Sequence, residues 1–255
     1  MRKVRKRGDR VNLVKSWLDT TDAAVSIGKS VTLTSDGFRI QAAVHCRRQV
    51  ARRPGAVLIH GFLRSDGREL QRLASFLACY GWAALRLDLR GNGLSQGHPD
   101  DINGYVDDAL AGLRFLLDQA ADPCRIFLVG QSLGAAVAIT AGAADPRVSG
   151  VVALHPGCGH DLGAFDPPHG HADVRRPLES VALLSPRPLL IIAGERDPVL
   201  PCSMARELYE AAGDPKRMLE IKDGAHAVED TDTYALGWLL AGAPRVWRRE
   251  SPAEG

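Results

Sequence analysis

The chain has 255 residues, of which 45% are hydrophobic, so it can bury the core of one large domain or of two small ones. Charged residues make up 24% of the chain and the formal net charge is only +2, which excludes a surface dominated by attraction to nucleic acid or to a membrane. No apolar run approaches the length of a transmembrane helix. No repeat or low-complexity linker divides the chain, so the sequence predicts one domain.

The amino-terminal segment MRKVRKRGDR departs from this balance. Its basic residues have almost nothing apolar between them, so residues 1–30 are predicted to form a basic, mobile arm ahead of a domain at 31–255. An alternative role is salt-sensitive attachment to an anionic surface, helped by the apolar residues of VNLVKSWL that share a helical face. No specific nucleic-acid binding is expected, and no continuous apolar stretch follows the basic residues to make a signal peptide.

The cysteines are odd in number, widely spaced and without a C-x-x-C pair. This pattern is typical of free thiols in a reducing compartment rather than of a disulfide framework. The sequence therefore predicts a cytoplasmic location.

The first two elements of the domain are predicted strands, SVTLTS (30–35) and FRIQAAVHC (38–46). Both alternate apolar with polar residues, and the Asp-Gly pair between them is a strong hairpin signal. We expect an antiparallel hairpin at one edge of a sheet.

The rest of the chain alternates short β-branched or apolar runs with longer amphipathic runs. That alternation is typical of strands joined by crossover helices into a mainly parallel sheet, so the predicted fold class is α/β. In chain order the predicted elements are a strand at 56–60, a helix at 67–81, a strand at 82–90, a helix at 107–120, a strand at 125–130, a helix at 132–143, strands at 148–155 and 188–195, a helix at 201–212, a strand at 216–222 and a helix at 232–242.

One irregular segment, about residues 158–186, is rich in Gly, Pro and His and has weak periodicity. Its position predicts a short lid across the carboxyl edge of the sheet, where ligands of such sheets bind. Side chains that can ligate metals gather in and beside this lid: His155, Cys158, His160, Asp161, His169, His171 and Asp173. Their spacing matches no closed zinc pattern, and loops of this composition often carry solvated histidines, so no metal is expected and a metal site is the alternative.

The sequence RIFLVGQSLGAAVAIT places Ser132 in a G-x-S-x-G pattern between a predicted strand and a predicted helix. This is the context in which the pattern indicates a nucleophile, because the chain must reverse sharply with the serine in a strained conformation. Gly130 and Gly134 must then be small for the strand and the helix to pass closely. The alternative is a tight turn with an incidental serine.

A serine hydroxyl needs a base to remove its proton and an acid to orient that base. Asp197 follows one later strand, in IIAGERDPVLP, and His226 follows the next, in LEIKDGAHAVED, which gives the order serine, acid, histidine. Glu195 and Asp223 are rival acids. We favour Asp197 because it lies farther past the strand end, although the sequence does not settle where Glu195 points.

The oxyanion of a tetrahedral intermediate needs two N–H donors. Leu133, directly after the serine, is predicted to supply one, and Phe62, in the HGF segment after a strand, the other. Gly61 lets the backbone approach closely. His60 is interpreted as a hydrogen-bonding structural residue, with a second catalytic base as the alternative.

Taken together, these segments resemble the α/β-hydrolase superfamily, from about Val31 to the closing helix. The resemblance rests on HGF, LDLRGNGLS, GQSLG, AGERDPVLP and GAH, in that order. It implies an α/β-hydrolase fold with a mostly parallel sheet, flanking helices and a short lid insertion, and it implies the roles given above for the triad and the oxyanion donors. LDLRGNGLS is similar to a structural turn after the fourth strand of these proteins. The short lid is similar to that of carboxylesterases, cinnamoyl esterases and monoacylglycerol-lipase-like members.

Within that superfamily, aspartate in place of the serine is typical of epoxide hydrolases and haloalkane dehalogenases, and cysteine is typical of dienelactone hydrolases. A serine therefore implies hydrolysis of a small-molecule ester or thioester with a small to medium acyl group, through an acyl-enzyme and without a cofactor. An acyltransferase or perhydrolase would use the same triad, and remains an alternative. A non-catalytic binding module recruited by its basic arm is a second alternative. The presence of a suitable residue at all three triad positions argues against it.

Overall fold

The computed structural model describes residues 28–47, 53–61, 68–119, 121–159, 177–226 and 228–241. The basic arm up to residue 27, with its predicted helical face, lies outside the described residues. Phe62 and most of the predicted lid, at 160–176, lie outside them as well.

The described residues form an eight-stranded, mostly parallel sheet. Its strands are β1 (Lys29–Ser35), β2 (Phe38–His45), β3 (Arg53–Ile59), β4 (Ala83–Leu87), β5 (Ala121–Gln131), β6 (Gly150–Leu154), β7 (Leu189–Gly194) and β8 (Lys216–Ile221). Their spatial order is β1-β2-β4-β3-β5-β6-β7-β8. Only β2 pairs antiparallel with its neighbours, β1 and β4, while the remaining pairs are parallel. The predicted α/β fold class is confirmed.

The hairpin predicted at the sheet edge is also confirmed. Asp36 and Gly37 join β1 to β2 with φ angles of 45° and 81°, both in the left-handed region. Asp and Gly tolerate that region better than other residues, and a two-residue turn of this kind matches the twist of the strands that it joins. The pairing continues along the hairpin from Ser35 and Phe38 to Lys29 and Val44.

Helices cover both faces of the sheet. They are α1 (Gln71–Cys79), α2 (Gly104–Asp118), α3 (Leu133–Ala144), α4 (Pro177–Val181), α5 (Cys202–Ala211) and α6 (Val228–Ala241). One core contains residues of α1 and α6, and the other contains residues of α2, α3, α4 and α5. In β3, Val57 and Ile59 belong to one core and Ala56 and Leu58 to the other, which is the alternation of a strand buried on both faces. Within the described part of the chain, no helix combines the length and the apolar composition that crossing a bilayer requires.

Some element boundaries differ from those predicted. The strand predicted at 82–90 ends at Leu87, because the chain turns away through the LDLRGNGLS segment. The last helix begins at Val228 rather than at Asp232. A short helix, α4, was missed within the predicted lid segment, and it packs between α3 and α5. Its neighbouring Pro, Gly and His residues hide so short a helix from periodicity.

Arg90 ties the segment after β4 to α2. Its side chain is buried, and its guanidinium donates hydrogen bonds to both carboxylate oxygens of Asp108, which is fully buried on α2. The backbone N–H of Arg90 donates to the same carboxylate at 2.8 Å, and Asp101 accepts a further bond from the guanidinium at 2.6 Å. These contacts give LDLRGNGLS a structural role.

Candidate active site

Four polar side chains follow adjacent parallel strands at the carboxyl edge of the sheet. Ser132 comes directly after β5, His155 directly after β6, Asp197 three residues after β7, and His226 in the loop after β8. Carboxyl ends of neighbouring parallel strands lie side by side, so residues far apart in the sequence meet here. The sequence predicted Ser132, Asp197 and His226 for this edge.

Ser132 occupies a backbone conformation that non-glycine residues rarely adopt. Its φ and ψ are 54° and −120°, at the turn between β5 and α3. A Cβ on Gly130 would overlap the backbone of Gly134, and a Cβ on Gly134 would overlap the carbonyl oxygens of Ile59 and His60. Both flanking positions must therefore be glycine, as the G-x-S-x-G interpretation expects.

The backbone around Ser132 is held on both sides. Its N–H donates to the carbonyl oxygen of Leu154 at 2.8 Å, and its own carbonyl accepts from Ala135 N–H at 2.9 Å. A Cβ on Gly61 would lie 3.2 Å from the Ser132 Cβ, so the β3 loop approaches the serine closely. Leu133 is the first residue of α3, where backbone N–H groups lack helical acceptors and favour negative charge.

Asp197 and His226 form a short hydrogen bond. His226 Nδ1 lies 2.6 Å from Asp197 Oδ2, and the Asp197 side chain is fully buried while that of His226 is 18% exposed. An ionised carboxylate only accepts hydrogen bonds, so Nδ1 carries the proton. The lone pair of a neutral His226 is then on Nε2, which is the arrangement of a base oriented by an acid.

Asp197 is held as a carboxylate by further donors. Its Oδ1 accepts the backbone N–H groups of Val199 and Leu200 at 2.8 and 2.9 Å. Burial alone would raise the pKa of Asp197, but the Leu200 N–H, the His226 side chain and the Val199 N–H outweigh it and hold the pKa below its usual value. A negative charge is thus kept beside His226.

His155 is a member of this cluster that sequence reasoning placed elsewhere. The composition of the segment predicts a solvated histidine at His155, and that prediction is wrong, because its side chain is fully buried. His155 Nδ1 lies 3.1 Å from Asp197 Oδ2, the atom that His226 also contacts. Its position directly after a strand next to β5 was the available signal.

The rival acids have other partners. Asp223 forms an exposed ion pair with Arg196 at 2.6 Å, and its backbone N–H donates to Glu195 Oε2 at 3.2 Å. Both Glu195 and Arg196 are exposed, whereas Asp197 turns inward. Burial therefore separates Asp197 from both rival acids, a difference that the sequence did not settle.

His60 is fully buried and both of its ring nitrogens are engaged. Leu89 N–H donates to Nε2 at 3.1 Å, so the proton is on Nδ1, which donates to the carbonyl oxygen of Gly61 at 2.7 Å. This is the hydrogen-bonding role expected of it. The other predicted oxyanion donor, Phe62, follows Gly61 and lies outside the described residues.

His155, Asp197 and His226 offer ligand atoms within 4.8 Å of one another, so they are the set that could hold a metal among the described residues. Both Nδ1 atoms point at the same carboxylate oxygen from 2.6 and 3.1 Å. Zinc ligands at bond lengths of about 2.1 Å lie roughly 3.4 Å apart in a tetrahedral site, so the carboxylate would have to withdraw to admit an ion. The geometry favours hydrogen bonds that share one oxygen.

Known proteins were compared with this chain. The family model described as serine aminopeptidase, S33, matches residues 52–182. The chain belongs to this α/β-hydrolase family. An uncharacterised protein of Mycobacterium tuberculosis is 30% identical to this chain over 216 residues, which cover 81% of this chain and 75% of that protein.

Solved structures share the fold of this chain. Est1E from Butyrivibrio proteoclasticus, solved with ferulic acid bound, has a TM-score of 0.68 and 19% identity, covering 82% of this chain and 96% of that chain. The esterase domain of a Rhodothermus marinus protein has a TM-score of 0.64 and 24% identity, covering 85% and 96%. The expected resemblance to the α/β-hydrolase superfamily is confirmed.

Proposed function

We propose that this chain is a serine hydrolase that cleaves carboxylic esters or thioesters of small to medium acyl groups. The observation that carries the proposal is the hydrogen bond between a buried, ionised Asp197 and His226 Nδ1. Asp197 follows β7, two strands away from β5, which leads into the strained turn of Ser132. A histidine oriented in this way presents a basic Nε2, which a serine hydroxyl needs in order to become a nucleophile.

In the proposed reaction His226 Nε2 takes the proton of Ser132 Oγ while Oγ bonds to the acyl carbon. The carbonyl oxygen becomes an oxyanion, for which the Leu133 N–H at the start of α3 and the Phe62 N–H are the proposed donors. His226 then gives its proton to the leaving alcohol or thiol as that bond breaks. Water, deprotonated by His226, attacks the acyl-enzyme, and His226 returns that proton to Ser132 Oγ as the bond to the acyl carbon breaks and the acid leaves.

Carboxylic esters and thioesters are the first substrate class to test. The family description names aminopeptidases, and Est1E was solved with a carboxylic acid of the kind that ester hydrolysis releases. An amide has a poorer leaving group than an ester or a thioester, so the same groups acting on a peptide must protonate the amine more fully. Matched ester, thioester and amide substrates with one acyl group therefore separate these activities.

The test combines labelling with turnover. The pure protein is treated with a fluorophosphonate, the modified peptide is mapped by mass spectrometry, and hydrolysis is measured over acyl chains of rising length. We expect an adduct on Ser132, ester turnover in the wild type, and loss of both in Ser132→Ala. Ser203→Ala, at an exposed serine of α5, is the matched control and should behave as wild type. Turnover that survives in Ser132→Ala would contradict the proposal.

Transfer to an acceptor other than water is the second candidate, because the acyl-enzyme is the same. It is separated by adding a primary alcohol or hydrogen peroxide and measuring the products. Free acid as the main product supports hydrolysis, and acyl transfer in preference to acid formation would replace it. A chain with no turnover and no adduct would instead support the binding-module alternative.

A further inference from the structure

We propose that His155 is a positioning residue for this chemistry. It shares the Asp197 carboxylate with His226, and it fixes the orientation of that carboxylate and the charge that the carboxylate offers. The inference rests on the proposed function, because it concerns the same site. His155 touches neither the scissile bond nor the serine hydroxyl in this role. It acts through Asp197.

The first support is the set of donors around the Asp197 carboxylate. Oδ1 accepts the N–H groups of Val199 and Leu200 from its own loop, and Oδ2 accepts His226 Nδ1–H at 2.6 Å. His155 adds a donor at 3.1 Å from the opposite neighbouring strand, β6. Two donors from one loop leave the carboxylate able to tilt, whereas a buried donor from another strand fixes Oδ2 in three dimensions.

The second support is how firmly His155 itself is held. Its backbone N–H donates to the carbonyl oxygen of Ile192 in β7 at 2.7 Å, and the preceding residue, Leu154, accepts the N–H of Ser132 at 2.8 Å. A rigid path thus runs from the serine turn through β6 to the carboxylate. His155 has a φ of 47°, and non-glycine residues in that left-handed region often occur at functional sites.

The third support is electrostatic. The centroids of the His155 and His226 rings lie 5.1 Å apart, and both rings direct Nδ1 at Asp197 Oδ2. Each N–H therefore neutralises part of the negative charge on that oxygen. Hydrogen bonds to a carboxylate reduce its basicity, so the His155 N–H lowers the negative charge that Asp197 offers to His226. Removing the His155 donor should leave more of the negative charge on Asp197 Oδ2, beside His226.

Several other titratable groups among the described residues of this edge have partners of their own. Arg196 and Asp223 form an exposed ion pair, and Glu195 accepts the Asp223 N–H. His60 is engaged by Gly61 and Leu89. Glu69 accepts the Gly61 N–H at 3.2 Å. Lys222 and Cys158 also lie in the described parts of the surrounding loops.

The test compares two substitutions of His155. Asparagine tolerates the left-handed conformation and can place an amide N–H where Nδ1 lies, whereas phenylalanine fills the volume without a donor. We expect His155→Phe to lower kcat/KM on the order of 10-fold to 100-fold through a misplaced carboxylate. We also expect the acid limb of its pH profile to move to higher pH, because the carboxylate beside His226 then carries more of its charge. His155→Asn should restore most of the activity and the acid limb.

The matched control is His45→Phe, because His45 is equally buried but lies at the end of β2, beside the start of β4 and away from the carboxyl edge. Its pH profile of kcat/KM should match that of the wild type wherever the protein is folded. A folded His155→Phe with wild-type kcat/KM and acid limb would overturn the proposal. Equal losses in His155→Phe and His155→Asn with an unmoved acid limb would assign His155 a purely structural role and overturn it as well.

A spectroscopic readout is independent of turnover and of whether His155→Phe folds. Imidazole N–H protons that are bonded to a buried carboxylate resonate at low field in proton NMR, so the wild type should give two such signals. His155→Asn should lose one of them and shift the other. A single low-field signal that His155→Asn leaves unchanged would overturn the shared carboxylate. Turnover retained in Ser132→Ala would instead contradict the proposed function. The NMR signals would still show whether His155 donates a hydrogen bond to Asp197.

Discussion

Gly130 and Gly134 are in mutual contact across the turn that carries Ser132, so closely that a Cβ on Gly130 would overlap the Gly134 carbonyl group. The strain of the Ser132 backbone is sustained by this contact, because strand β5 and helix α3 converge there without side chains between them.

Substitution of either glycine should therefore displace the serine. We expect Gly130→Ala and Gly134→Ala to lower kcat/KM by about 100-fold or more, and the free energy of unfolding by about 1–3 kcal/mol. Steady-state ester kinetics and urea denaturation measure the two effects. Gly237→Ala is the control, since a Cβ there meets nothing within 4 Å in the exposed middle of α6, and it should leave activity unchanged. Wild-type kinetics in Gly130→Ala would contradict the strained turn.

The second prediction concerns the choice of acid. Asp197→Asn keeps the shape of the side chain but removes its charge, so His226 loses the partner that sets its tautomer and stabilises its protonated form. We expect kcat to fall by roughly two to four orders of magnitude, as for an aspartate with this role. Glu195→Gln and Asp223→Asn, at exposed residues of neighbouring loops, should retain activity within about twofold because they lack this contact. A larger loss in Glu195→Gln than in Asp197→Asn would reassign the acid.

Local signals in the sequence were enough to predict several of these features. The Asp36-Gly37 turn and the G-x-S-x-G turn at Ser132 are specified by residues next to one another, whose backbone preferences act locally. The contact of His155 with Asp197 joins residues 42 positions apart and depends on the order of β6 and β7 in the sheet. No spacing along the chain contains that information, so the sequence does not distinguish a solvated histidine from a buried hydrogen-bond donor at His155.

The third prediction tests the buried ion pair between Arg90 and Asp108. Truncating one partner leaves the other charge buried, so Asp108→Ala should lower the free energy of unfolding by about 3–5 kcal/mol. Arg147→Ala breaks an exposed ion pair with Asp145 and should cost no more than about 1 kcal/mol. Denaturant titration at neutral pH compares the two variants. A loss in Asp108→Ala as small as that in Arg147→Ala would mean that Arg90 reaches solvent.

The last prediction concerns stability in acid. Burial, with a smaller contribution from the neighbouring Arg86 charge, lowers the pKa of His45 from 6.5 to about 4. Between pH 6.5 and about 4 the unfolded chain binds a proton at this residue and the folded chain does not, so stability falls as the pH falls through that window. The full shift corresponds to about 3 kcal/mol, and screening by solvent reduces the expected loss to about 1–2 kcal/mol. His45→Phe removes the titrating group, so its free energy of unfolding should fall less than that of the wild type between pH 6.5 and 4, as measured by urea denaturation at each pH. Parallel pH curves for the two proteins would mean that His45 is protonated in the folded state as readily as in the unfolded chain.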